Sequence, residues 1–307
     1  MGDRHLLARL PRPAPPGSGG RLPEARAPLR WHRAGAGGRR PPGVTRVLSG
    51  VALGALFVGG IWFLPPAAAV VLAGGVLLLA FVEYVGLARS AGTSFPTVPS
   101  GVATLATAGA VVLAPGALVV VAMAGGLLIA VAVLAETRRE GALAAAGAAA
   151  FPLLYLGLPV GAIAALLVDA GREVVLLLIA TIVASDTLQY YGGRRFGSRR
   201  LAPAVSPGKT VEGAVCGFVA AALTVACAGA WWLPGLDAPA RVVLGMTLGA
   251  AGMAGDLFES HLKRSSGVKD SSALIPGHGG VLDRIDALLF AAPVYYTVVT
   301  FAGGRLP

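Results

Sequence analysis

Long apolar runs recur from residue 47 to near the C-terminus, broken by short polar or Pro/Gly-containing stretches. Roughly 20 helical residues cross the hydrocarbon core of a bilayer. On that measure the pattern predicts an all-α fold: a polytopic transmembrane helical bundle of about nine spans. They are placed near 47–64, 67–88, 101–114, 117–135, 142–168, 173–192, 211–233, 241–259 and 286–303. The third run is short and ends at Pro115-Gly116, a break that a re-entrant turn would also produce. The fifth is long and carries Pro152 and Pro159, so a kink or a split is expected there. Small residues let membrane helices approach closely, so Gly125-Gly126 or the run from Ala144 to Ala150 is expected at helix contacts. No internal repeat is evident.

Composition supports this reading. The chain is 55% hydrophobic and 13% charged, with mean hydropathy +0.74. A soluble domain carries about a quarter charged residues, so this charge is too sparse to cover a water-facing surface. The net charge of +10 is concentrated in one place. Residues 1–46 hold ten arginines against Asp3 and Glu24, in a context rich in Pro and Gly. This predicts a disordered, basic cytoplasmic tail next to anionic lipid, ahead of a membrane-embedded domain at 47–307. The rest of the chain is nearly neutral, which argues against a nucleic-acid-binding fold. Cys216 and Cys227 lie eleven residues apart in one apolar run, about 16 Å along a helix. They cannot bridge each other and read as packing residues.

Basic residues set the orientation. With the N-terminus inside, 22 of the 25 Lys and Arg residues fall on cytoplasmic segments, and only Arg172, Arg241 and Arg305 fall outside. The two polar stretches at 193–212 and 260–286 then share the cytoplasmic side. Two spans separate them, so they can lie beside each other.

The first stretch follows Asp186, an ionisable residue inside the end of an apolar helix and so a functional candidate. The arginines at 194, 195, 199 and 200 are equally readable as membrane anchors. Ser206-Pro207-Gly208-Lys209-Thr210 resembles the end of a phosphate-binding loop but lacks its first glycine, whose place Pro203 takes. Lys, Thr and free backbone N–H groups ahead of a helix would still suit a phosphate, while Glu212 reads as a helix cap.

The second stretch is richer. Asp256 lies within a membrane helix, Ser260 sits one turn later, and Asp283 and Asp286 share a helix face. Carboxylates beside a basic loop are hard oxygen ligands of the kind Mg2+ takes. Lys263, Arg264, Lys269 and Arg284 would neutralise a polyphosphate. Pro276-Gly277-His278-Gly279-Gly280 is a turn whose backbone can come close to a ligand. Each residue also has a plainer reading. Glu259 and Asp270 would pair with nearby Lys or Arg, His278 would be a turn residue, and Asp283-Arg284 would be a local ion pair. Tyr190, Tyr191, Trp231 and Trp232 would be interfacial anchors. Glu83, inside an apolar span, is open between a proton or substrate group and a partner across the bundle.

This second stretch resembles the signature of the phosphatidate cytidylyltransferases, or CDP-diacylglycerol synthases. That signature runs S-x-apolar-K-R, four residues, K-D, a small residue, then P-x-H-G-G-x-x-D-R-x-D. It is met here by Ser260, Lys263, Arg264, Lys269, Asp270, Ser272, Pro276, His278, Gly279, Gly280, Asp283, Arg284 and Asp286. The first stretch is similar to the same family through Asp186, Tyr190, Gly193, Arg194, Phe196, Gly197, Ser206, Pro207, Lys209, Thr210, Glu212 and Gly213. Gln189, where a small residue is usual, and Ala287, where a serine is common, depart from it.

The resemblance implies that CTP and phosphatidic acid give CDP-diacylglycerol and pyrophosphate, in the inner or plasma membrane. It implies Mg2+, with a monovalent cation such as K+ nearby, at Asp256 and Asp283, with Asp186 and Asp286 as further ligands. Asp256, Asp283, Lys269 and Arg284 are the expected catalytic residues. Ser206, Lys209, Thr210, Ser260, Lys263, Arg264, His278, Gly279 and Gly280 are the expected substrate contacts, and a homodimer is expected. An ion-coupled transporter would place its polar groups near mid-membrane and need no basic phosphate loop. Enzymes that use CTP on a prenyl-ether phosphatidate or a polyprenol are the nearer alternative. A CDP-alcohol phosphatidyltransferase is disfavoured, because its D-G-x-x-A-R motif needs an Asp-Gly pair and the chain contains none.

Overall fold

The computed structural model describes residues 54–55, 58–136, 140–272, 274 and 279–302. The arginine-rich tail and half of the first expected span lie outside the described residues, as does His278. From there the chain forms α1 (Pro66–Ser90), α2 (Thr97–Leu113), α3 (Leu118–Ala135), α4 (Ala142–Pro152), α5 (Leu158–Asp169) and α6 (Arg172–Phe196). A short antiparallel hairpin follows, β1 (Arg200–Ala202) and β2 (Ser206–Thr210). The chain closes with α7 (Val211–Trp232), α8 (Ala238–Ser265) and α9 (Leu282–Thr297).

Among the described residues, seven helical stretches are long and apolar enough to cross a membrane, and α2 is a shorter apolar helix. Each expected span from 67–88 onward therefore has its helix. The Pro115-Gly116 break is a single 3-10 turn over Pro115–Ala117 that joins α2 to α3. The long fifth run does break: α4 and α5 are joined by a π-helical turn, Leu153–Gly157, immediately after Pro152. Proline lacks an N–H and crowds the preceding turn, so the ladder widens locally where it passes Pro152.

Apolar side chains such as Val119, Met123, Leu127 and Leu134 of α3 point outward, as expected where lipid is the solvent. With lipid outside, helix association depends on close packing. The Gly125 position illustrates this: a Cβ there would meet the Ala103 Cβ of α2 at 2.9 Å. Ser100 donates its hydroxyl proton to the Ala149 carbonyl at 2.6 Å, tying α2 to the small-residue run of α4. Both Gly125 and that run are therefore at helix contacts. Cys216 and Cys227 are free thiols; Cys216 is half-buried and Cys227 is exposed.

Two clusters of buried side chains form the core. One gathers Leu77, Phe81, Tyr84, Tyr155 and Leu156 with Leu282, Ile285 and Leu289 of α9. The other gathers Leu177, Leu178, Ile182, Val225 and Leu248 with Ala287, Leu288, Ala291 and Tyr295 of α9. Helix α9 thus has a face in each cluster, which places its first turn, with Asp283 and Asp286, between the two halves of the membrane domain.

Candidate active site

Five separate segments line one cavity of about 1100 Å3. Helix α6 contributes Asp186, Gln189, Tyr190 and Arg194, and the hairpin region contributes Ser198, Arg200, Ser206, Gly208, Lys209 and Thr210. Helix α8 supplies Asp256 and Lys263, the following loop Lys269, Asp270, Ser272 and Gly279, and the start of α9 Asp283, Arg284 and Asp286. The two polar stretches expected to lie side by side therefore do so.

Local chemistry explains how each wall is held. The sequence pattern does not predict the hairpin; it gives only a polar segment ahead of a helix. Pro203 and Pro207 obscure the strands, and the pairing is irregular between Arg200 and Ala202. Glu212 anchors its base by accepting from the Ser198 N–H at 3.0 Å, the Ser198 hydroxyl and the Arg199 N–H. It therefore secures the turn preceding β1, while the capping of α7 falls to Thr210, whose hydroxyl accepts from the Gly213 N–H at 3.1 Å. Gly213 lets α7 approach α6: a Cβ there would lie 2.6 Å from the Gln189 carbonyl oxygen.

Charged pairs cross the cavity walls. Lys209 of β2 meets Asp256 of α8 at 2.6 Å, and Ser260 donates to the same carboxylate at 3.3 Å. Lys263 bridges two acids, Glu259 on its own helix and Asp283 of α9, the latter at 2.6 Å. Glu259 does pair with a nearby lysine, as read from the sequence, but Asp283 takes Lys263 as its salt-bridge partner. Its carboxylate also accepts from the Gly280 N–H at 2.8 Å and the Ser271 N–H at 3.0 Å, and the Ser271 hydroxyl, whose single proton is shared between Asp283 and Glu83, lies 3.0 Å away. Among the expected substrate contacts, Ser260, Arg264 and Gly280 stand outside the cavity lining, and Arg264 donates to the Val268 carbonyl at 3.4 Å.

Among the described residues, no three Asp, Glu, His or Cys side chains converge to hold a metal ion by themselves. Mg2+ is commonly held by one or two carboxylates together with substrate phosphates, and the donors on this cavity are of that kind. Asp186, Asp256 and Asp286 all line it, and the Asp256 side chain retains 32% exposure against 8% for Asp283. Among the described residues, the lining carries five carboxylates and six Lys or Arg side chains. It is close to self-neutral, so a triphosphate would bring negative charge that the chain's own cations do not cancel.

Sequence reasoning passed over Ser198 and Ser271, noted Gln189 only as a departure from the family pattern and left Arg200 open as an anchor; Gln189, Ser198 and Arg200 line this cavity and Ser271 braces it. It left Glu83 undecided; the structure pairs that residue across the bundle. Its carboxylate accepts from Ser272 Oγ at 2.7 Å, Leu282 N–H at 2.8 Å, and Ser271 Oγ and Val281 N–H at 2.9 Å each. The only signal in the sequence was an acid within an apolar run.

Comparison with known proteins gives a consistent answer. The chain is 33% identical over 266 residues to the phosphatidate cytidylyltransferase of Brucella abortus, covering 82% of this chain and 91% of that protein. It is 47% identical over 132 residues to the phosphatidate cytidylyltransferase of Synechocystis, covering 42% of this chain and 44% of that one. It is also 40% identical over 134 residues to the Escherichia coli protein YnbB, covering 44% of this chain and 45% of the other. A family model described as the cytidylyltransferase family matches residues 44–302, and with that span the chain belongs to the cytidylyltransferase family as a multi-pass membrane protein.

Proposed function

We propose that this protein is a phosphatidate cytidylyltransferase, transferring CMP from CTP to phosphatidic acid to give CDP-diacylglycerol and pyrophosphate. The observation that carries the reading is the single cavity where a lysine-bearing hairpin meets a basic, acid-lined loop at one end of a membrane bundle. A water-soluble nucleotide and a membrane-held phosphate can reach each other only at such a border.

In the reaction, an oxygen of the lipid phosphate attacks the α-phosphorus of CTP. A new P–O bond forms, the bond to the β-phosphate oxygen breaks, and pyrophosphate leaves with that electron pair. The nucleophile is already anionic, so alignment and charge neutralisation are the main tasks. Lys269 and Arg284 face the cavity from the loop and the first turn of α9 and would hold phosphate oxygens. Lys263 stays between Glu259 and Asp283 and keeps the α8–α9 corner closed. Lys209, now on Asp256, would turn to a phosphate once Asp256 has another partner. Asp256, with Asp186 and Asp286, would hold Mg2+, which would supply the positive charge that the near-neutral lining lacks and stabilise the pyrophosphate leaving group. The distribution of Lys and Arg favours a cytoplasmic cavity mouth and N-terminus in the inner or plasma membrane.

The test is product formation by the purified chain in detergent, with labelled CTP, phosphatidic acid and Mg2+. Labelled CDP-diacylglycerol that disappears with EDTA or when the lipid is omitted is the expected result. No product from folded protein with phosphatidic acid, an ether-linked analogue or a polyprenol, over several divalent metals, would overturn the reading.

A further inference from the structure

Glu83 lies in α1, almost two hundred residues before the loop it touches, and does not line the cavity. Its side chain is nonetheless the meeting point of that loop. The residue is only 6% exposed, and its carboxylate accepts four hydrogen bonds. Two come from hydroxyls, that of Ser272 and that of Ser271, whose single proton is shared with Asp283. Two come from the backbone N–H groups of Val281 and Leu282.

The latter pair answers a need of α9. Any helix leaves its first N–H groups without intrahelical acceptors, and Val281, at the N-cap position, offers no side-chain cap. Asp283 serves Gly280 from within the helix, and Glu83 serves Val281 and Leu282 from another helix. A carboxylate at that position also matches the positive end of the helix dipole. Gly280 completes the arrangement, since a Cβ there would collide with both Ser271 Oγ and Glu83 Oε2. The loop is therefore closed at both ends by one carboxylate from a remote helix.

From these contacts we infer that Glu83 is a positioning residue for the site, fixing Lys269, Asp270 and Ser272 on one side of the turn and Asp283, Arg284 and Asp286 on the other. It touches no substrate. Its effect runs through the register of the loop against α9. The catalytic consequence rests on the cytidylyltransferase reading; the structural one does not.

The experiment separates the two. The full chain in detergent is compared as wild type, Glu83→Gln and Ser271→Ala/Ser272→Ala, by hydrogen exchange of peptides covering 267–286 and by steady-state kinetics with CTP and phosphatidic acid. Glu83→Gln keeps the size but turns an amide N–H2 toward donors. Exchange of the loop and first α9 turn should rise by about ten-fold or more, with α6 and α7 peptides unchanged. Because the side chain touches no substrate and acts by misaligning both ends of the loop, kcat should fall about ten-fold or more while KM for phosphatidic acid stays within about two-fold. The double serine variant, which keeps the buried carboxylate and its two N–H partners, should show a smaller change of the same pattern. Unchanged loop exchange in both variants, or loss of protection spread evenly over the bundle, would overturn the inference whatever the activity. Local loss of protection with kcat unaltered would overturn its catalytic half. An inactive wild type that still shows the local loss would fault only the reaction assignment.

Discussion

Two groups of carboxylates stand at the start of α9, and they have opposite surroundings. Glu83 and Asp283 are surrounded by donors from the chain itself: backbone N–H groups, serine hydroxyls and, for Asp283, Lys263. Asp186, Asp256 and Asp286 share the cavity lining with Asp283, but Asp256 has only one lysine and one hydroxyl at 3.3 Å for company. The first pair has its acceptor capacity filled by folding, whereas the second group keeps capacity for a ligand. An acid in a membrane helix is therefore not by itself a sign of chemistry. What distinguishes the two groups is whether the fold supplies the hydrogen-bond donors.

The largest effect expected from this contrast is at Asp256. Asp256→Asn should lower kcat/KM for CDP-diacylglycerol formation by about a thousand-fold and leave the thermal midpoint in detergent unchanged. A variant with near wild-type turnover would remove Asp256 from the open group. Next comes the converse at the closed group: Glu83→Ala strands Val281 and Leu282 N–H groups without an acceptor. It should destabilise the protein by about 3 kcal/mol, read as a lower thermal midpoint than that of Asp256→Asn. Equal midpoints for the two variants would erase the comparison. The smallest effect is expected at Thr210, whose hydroxyl caps α7. Thr210→Val should cost about 1 kcal/mol and reduce turnover only slightly. A loss as deep as that of Asp256→Asn would mean that Thr210 contacts substrate as well as its helix.

Much of this was legible in the chain, for identifiable reasons. Helical spans are written in local hydropathy, so the helices from Pro66 onward sit where the apolar runs place them, and Pro152 marks the break between α4 and α5. The charged stretches around Lys209 and Lys263 could be assigned to one end of the bundle because two spans lie between them. The hairpin was not legible, because a strand of three residues against one containing Pro207-Gly208 carries no alternating pattern. Nor was the fate of Asp283, whose carboxylate pairs with Lys263 of α8.

By itself, the sequence determined a multi-pass helical membrane protein with two basic, acid-bearing segments, because hydropathy and charge act residue by residue along the chain. The tertiary structure alone decided which acids are closed off and which stay open. That outcome depends on donors brought from far along the chain, such as the Val281 and Leu282 N–H groups to Glu83, and no local pattern of residues encodes a contact made across the bundle.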